Sequence, residues 1–269
     1  MKKGNLILYA ALFTAALSLG WQHNESMPTT NAVKVEIRRV GNGYQLIRNG
    51  QPYFVNGAGG SVYPARIAAY GGNSIRTWST RDAQRVLDSA QKYGLTVLMG
   101  LDVARERHGF NYDDSTAVRK QLEKIRQEVI KYKDHPALLG WGIGNELNLQ
   151  YKNPKVWDAV NEISKMIHEL DKHHFTTTVF AGVNKNLVDH IKERTPDIDL
   201  LCINTYGGLA SLPRTLEQAG WTGPYMVTEW GPTGHWESLQ TEWKSPIEET
   251  SSEKAAVYKS RYEYSVERD

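Results

Sequence analysis

The sequence has 269 residues, 40% of them apolar and 23% charged, enough for a substantial core in one large domain or two small ones. A formal net charge of +2 gives no electrostatic reason to expect nucleic acid or an acidic membrane surface as partner. Cys202 is the only cysteine, which excludes a disulfide framework.

The chain opens with a basic MKKG and the apolar run NLILYAALFTAALSLG, which is short for a bilayer span. Ser18 and Gly20 supply small residues at the −3 and −1 positions before Trp21. Residues 1–20 are therefore expected to be a secretory signal peptide, with an uncleaved anchor as the weaker alternative, and the mature protein to be secreted or periplasmic. Residues 21–32 read as a polar linker, and 33–269 as the folded domain.

Within 33–52, Gly-Asn-Gly at 41–43 and Asn-Gly at 49–50 are turn signals that predict a β-hairpin. Apolar strand candidates follow at 53–58, 73–78, 95–102, 138–144, 176–182, 199–206 and 224–229. Helical patterns fill the gaps. Val118, Leu122, Ile125, Val129 and Tyr132 make one apolar stripe, and Val156, Val160, Ile163, Ile167 and Leu170 make another behind the start signal Asn153-Pro154. Thr250 and Glu253 stand at capping-box spacing before a last helix.

Near-continuous apolar strands alternating with helices predict a parallel sheet covered by helices, either an open doubly wound sheet or a (β/α)8 barrel. Gly57-Ala58-Gly59-Gly60 lacks the third glycine of a dinucleotide fingerprint, because residue 62 is Val62. The expectation is thus an α/β fold, a (β/α)8 TIM barrel after an N-terminal hairpin, in which only seven strands are visible. An eighth strand and helix are not apparent, and open edges on the first and seventh strands would invite self-association.

Polar residues gather at one end of these strands. The carboxyl ends carry Asn56, Arg76 with Trp78, Asp102, Asn145 with Glu146, Asn204 with Tyr206, and Glu229 with Trp230. The opposite ends read as plain turns at Gly71-Gly72, Gly94, His135-Pro136 and Gly223-Pro224. Singly, each has a bland reading: Arg76 as a structural ion pair, Tyr206 and Trp78 as rim packing, each glutamate as a solvated strand end. Jointly they match a barrel whose chemistry sits at the carboxyl ends of its strands.

Glu146 and Glu229, three βα units apart, would face each other across the mouth, as glycoside hydrolysis requires of its two carboxyl groups. Arg76 and Tyr206 can donate to Glu229 and hold it ionised as a nucleophile. Glu146, farther from any cation, could keep its proton as the acid. Asn145 could bond a sugar hydroxyl, and Trp78 or Trp230 could stack on a pyranose face. Loops at 104–114 and 232–246 flank this end, with His235 and Trp236 the residues expected to meet substrate.

Rival chemistries lack their residues. His168-Glu169 begins a zincin helix, but the second histidine falls at Lys172, and His173 lies about 140° around the helix. Both are read as solvated helix histidines. There is no G-x-S-x-G elbow, and Cys202 reads as a small buried residue. No metal or cofactor is expected.

WGIGNELN at 141–148 and MVTEWG at 226–231 resemble the fourth- and seventh-strand motifs of clan A retaining glycoside hydrolases, and NSIRTW at 73–78 is similar to that clan's second-strand arginine motif. The likeness is strongest to the family 2-type catalytic barrel, running from about Gln51 to about Pro232, with a family 72-like β-1,3-glucanosyltransferase as a cousin. It implies Glu146 as acid/base, Glu229 as nucleophile, Asn145 on the 2-hydroxyl, and Arg76 and Tyr206 as supports. The substrate implied is a β-linked glycan or oligosaccharide. The eighth-strand tryptophan and the β-sandwich domains common in that family are not visible. A carbohydrate-binding pseudoenzyme, or an inactive incomplete barrel, is the alternative.

Overall fold

The computed structural model describes residues 32–265. The expected leader and all of the linker but Ala32 lie outside them. The chain starts with a small antiparallel sheet of β1 (Val35–Val40), β2 (Gly43–Arg48) and β3 (Gln51–Pro52). Asn49 and Gly50, both at positive φ, make the predicted Asn-Gly turn.

Seven parallel strands follow: β4 (Gly57–Gly59), β5 (Ser74–Arg76), β6 (Thr96–Leu101), β7 (Leu138–Ile143), β8 (Phe175–Ala181), β9 (Leu200–Asn204) and β10 (Tyr225–Glu229). Each pairs only with its neighbours in sequence, giving the order β10-β9-β8-β7-β6-β5-β4. Helices α1 (Pro64–Ala69), α2 (Ala83–Lys92), α3 (Ser115–Tyr132), α4 (Lys155–Leu170), α5 (Lys185–Arg194) and α6 (Leu212–Gln218) alternate with them, and α7 (Ser251–Ser265) comes last. The result is a nearly closed barrel with β4 and β10 at its edges. Among the described residues there is no eighth parallel strand.

Side-chain alternation sorts the core into two layers. Val97, Met99, Leu138, Trp141 and Ile203 face outward onto α2–α5, where α4 contributes Trp157, Val160, Ile163 and Ile167. Leu98, Leu139, Val179, Leu200 and Cys202 fill the lumen together with Val35, while Ile37, Leu46, Tyr53 and Val55 pack against them from the hairpin side. The hairpin thus plugs the amino-terminal end of the barrel, tied down by Val35 N–H to His173 O at 2.7 Å.

One expected strand moves. The run 53–58 yields only β4 at Gly57–Gly59, because Tyr53 and Val55 are used in the plug. Asn56 consequently sits at the amino end: its side chain donates to Gly71 O, and its carbonyl accepts from Asn73 N–H. It belongs to the turn end of the barrel and is not at the mouth. The capping box at Thr250 and Glu253 forms as expected, while α4 begins at Lys155 with Asn153 Oδ1 accepting from Lys155 N–H.

Candidate active site

Glu146 is positioned through its backbone. β7 is buried along its whole length and is followed by Gly144, whose φ of 74° turns the chain where an L side chain is disfavoured. Two residues on, Glu146 itself has φ 52°, a conformation that costs a non-glycine residue about 1–2 kcal/mol. Its surroundings enforce it. Glu146 N–H donates to Val179 O on β8 at 2.8 Å, and Glu146 O accepts from Leu149 N–H at 3.2 Å and from the Arg107 guanidinium. Arg105 Nε holds Asn145 O at 3.2 Å, and Leu147 is 2% exposed, driven into the core like a wedge. The Glu146 carboxylate accepts from one neutral donor, Asn204 Nδ2, at 2.9 Å.

Glu229 is positioned through its side chain. Met226 packs on the lumen cluster and Val227 on the outer one, so strict alternation would send Glu229 outward. The β9–β10 register shifts between Val227 and Glu229, and this irregularity brings Glu229 to the mouth. There Arg76 Nη1 at 2.7 Å and Trp78 Nε1 at 2.9 Å donate to Oε1, and Tyr206 OH at 3.0 Å donates to Oε2. The Tyr206 hydroxyl is pushed up to about 12, by burial first and then by the Glu229 charge, so it stays a donor. Arg76, nearly buried, also reaches Asn145 Oδ1 at 2.5 Å, Asn204 Oδ1 at 3.3 Å and Thr228 O at 3.3 Å. Trp78 gets there because β6 has Gly100 beneath it: a Cβ at 100 would lie 2.5 Å from Thr77 O and Trp78 C.

Arg76, Trp78, Asn145, Glu146, Asn204, Tyr206 and Glu229 therefore form one hydrogen-bonded cluster, spanning β5, β7, β9 and β10. Both glutamates line a cavity of about 600 Å³, with Tyr206 and Trp236 on its wall. Trp236 sets its edge against Tyr206 at 4.9 Å, and His235 packs behind Trp236 at 5.0 Å without lining the cavity.

Four expectations change. Trp230 is not a free stacking face, since α7 covers it with Tyr258 at 4.4 Å, nearly parallel. Asp102 is exposed and does not line the cavity, because the strand ends at Leu101 before reaching the cluster. Glu146 is not remote from cations: burial and the Arg105 charge lower the Arg107 pKa, while the Glu146 charge raises it. His168 is likewise half-buried, with Asp199 at 2.9 Å raising its pKa. Sequence reading missed Arg105, Arg107, Thr228 and Glu237, the last a third carboxylate on the cavity wall. Arg105, Arg107 and Glu237 fall in the two loops expected to flank the mouth, but the arginines' partners are main-chain carbonyls that no side-chain pattern encodes.

A parallel barrel with its polar side chains converging at the carboxyl ends of the strands is the TIM-barrel arrangement of an active site. Residues 66–236 match the family described as glycosyl hydrolases family 2, TIM barrel domain, which is well over half the chain, and the chain belongs to that family. A probable mannan endo-1,4-beta-mannosidase C of Aspergillus terreus (strain NIH 2624 / FGSC A1156) is 28% identical over 153 residues, covering 41% of this chain and 38% of that one. Among solved structures, the β-D-glucuronidase of Dictyoglomus thermophilum superposes with a TM-score of 0.62 at 16% identity, over 87% of this chain and 45% of that one. β-Glucuronidase 2 of Bacteroides uniformis, covalently bound to cyclophellitol-6-carboxylate aziridine, gives 0.64 at 18% identity, over 87% and 31%. The chain spans less than half the length of each, so these likenesses concern the fold of the barrel.

Proposed function

We propose that this chain is a retaining glycoside hydrolase domain that cleaves a β-linked glycan or oligosaccharide, acting outside the cytoplasm behind the expected leader. The observation that supports it is the unequal treatment of two carboxylates on one cavity. Glu229 receives three donors including the Arg76 cation, whereas the Glu146 carboxylate receives one neutral amide. Charge compensation suits a nucleophile, and a carboxyl group with a free oxygen suits a proton carrier.

In the first step a Glu229 oxygen attacks C1 while Glu146 gives its proton to the departing glycosidic oxygen. In the second, Glu146, now a carboxylate, takes a proton from the water that attacks C1 and releases Glu229. Asn145, held by Arg76 through its carbonyl oxygen, keeps its amide N–H groups for a sugar hydroxyl.

A 2-deoxy-2-fluoro glycoside with an activated leaving group should trap the intermediate as an adduct, located at Glu229 by peptide mass. An adduct on any other residue overturns the assignment. If glycans bind but no residue is labelled, a carbohydrate-binding role replaces turnover. Glu146→Ala should spare hydrolysis of highly activated aryl glycosides relative to natural linkages by roughly a hundredfold, because only poor leaving groups need the proton.

A further inference from the structure

Resting on that reading, the cavity's own charges bear on the sugar class it accepts. Three carboxylates line it, Glu146, Glu229 and Glu237, and among the described residues lining it there is no lysine, arginine or histidine. The arginines bonded to residues of this end of the barrel are already engaged. Arg76 is spread over Glu229, Asn145, Asn204 and Thr228 O. Arg105 and Arg107 clasp the main-chain carbonyls of Asn145 and Glu146, and Arg261 clasps Gly231 O.

The three carboxylates are not equivalent. Arg76 compensates Glu229, and the proposed reaction assigns Glu146 the role of acid. Glu237 has no ion-pair partner among the described residues. Its position is set by the loop after β10: Glu237 N–H bonds Gly234 O at 2.9 Å, and its carboxylate overlies Gly207, the residue after Tyr206, with Oε2 3.4 Å from where a Cβ would stand. A solvent-exposed carboxylate without an ion-pair partner therefore overlies the residue next to the tyrosine that touches Glu229.

We infer that Glu237 is a specificity-determining residue that turns the cavity away from uronic acids and toward neutral hexosyl units. A uronate would bring a second carboxylate into a space with no cation free to receive it, whereas a neutral sugar offers Glu237 hydroxyl donors and Tyr206 and Trp236 an apolar face. Specificity by repulsion of the wrong partner needs no extra contact to the right one. The barrels this one superposes on include β-glucuronidases, so the preference would part it from its structural neighbours in substrate while sharing their fold.

The test uses matched pairs of covalent probes, cyclophellitol aziridine and its 6-carboxylate in gluco, galacto and manno configurations, with labelling rates read by intact mass and peptide mapping. The wild-type protein should react with the neutral member faster. Glu237→Gln should shrink that ratio by roughly two- to fivefold, the scale of one exposed charge, and Glu237→Lys should shrink it further. Raising the salt concentration should shrink the wild-type ratio and leave that of Glu237→Gln nearly flat. Labelling of Glu229 with a ratio that is the same in all three proteins, or that favours the carboxylate in the wild type, overturns the role of Glu237. No labelling at Glu229 by any probe overturns the catalytic reading itself.

Discussion

The two glutamates are held by opposite means. Glu146 follows a strand buried on both faces between β6 and β8, and its backbone is pinned by Val179 O, the Arg105 and Arg107 guanidiniums and the Leu147 wedge. Glu229 ends an edge strand with one neighbour, half-exposed along its length, and is pinned by side chains reaching across the barrel from β5. Where the sheet supplies a full ladder, backbone geometry can aim a side chain. Where it supplies half a ladder, charge-assisted hydrogen bonds to the carboxylate itself replace it.

Removing the cross-barrel tether should be the most damaging change short of deleting a glutamate. Arg76→Met leaves Glu229 without its counter-charge, and Asn145 and Asn204 without a shared donor. We expect a loss of about a hundred- to a thousandfold in kcat, as for other groups aimed at developing charge. Urea unfolding should show a stability loss of about 3 kcal/mol, since the partner charge is largely buried. Unchanged kcat would mean that the edge strand aims Glu229 unaided.

Tyr206→Phe tests a lighter tether on the same side. Losing one hydrogen bond to a charged group should cost roughly ten- to a hundredfold in kcat/KM. The pH profile distinguishes the donor from a titrating base. With its pKa pushed from the ordinary 10 to about 12, the hydroxyl keeps its proton below that value, so the variant should retain the wild type's alkaline limb. A limb that disappears in the variant would contradict a permanently protonated donor.

Gly144→Ala attacks the other side, where the backbone carries the load. The new Cβ would sit at φ 74° and 2.7 Å from Leu147 Cδ1, forcing the wedge or the turn to move. Roughly 2 kcal/mol of stability should go, with about a tenfold drop in turnover of poor leaving groups as Glu146 is displaced. If turnover of activated and natural substrates fell equally, the turn would be serving Glu229 as well.

This division also explains what was legible in the sequence. The strand–helix alternation, the buried β7 and the gathering of Arg76, Asn145, Glu146, Tyr206 and Glu229 were readable because periodicity and strand-end position are properties of one segment at a time. Trp230 misled because its environment is made by Tyr258, a residue 28 positions away on a helix whose packing no local pattern states. Asn56 misled because Tyr53 and Val55, apolar as a strand should be, serve as plug. The register shift that swings Glu229 inward has no sequence signature beyond the motif around it.

The mildest change probes how far the edge half is coupled to the rest. α7 has no buried residue and packs on the turn at Leu209–Ser211, with Tyr258 and Tyr262 on Trp230 and Arg261 on Gly231 O, next to the strand end that carries Glu229. Its first turn is closed by Thr250 N–H and Oγ1 on Glu253 Oε2, both at 2.7 Å, with Glu253 N–H returning to Thr250 Oγ1 at 3.3 Å. Thr250→Ala breaks that box, at a cost of about 1 kcal/mol to the helix. A helix with no buried residue of its own can open without the barrel. Amide exchange in α7 should therefore accelerate about fivefold while the urea midpoint of the whole protein and the rate of Glu229 labelling stay where they were. A midpoint that falls together with the exchange protection would make α7 part of the barrel's cooperative unit, and a slower labelling rate would make it a further support of Glu229.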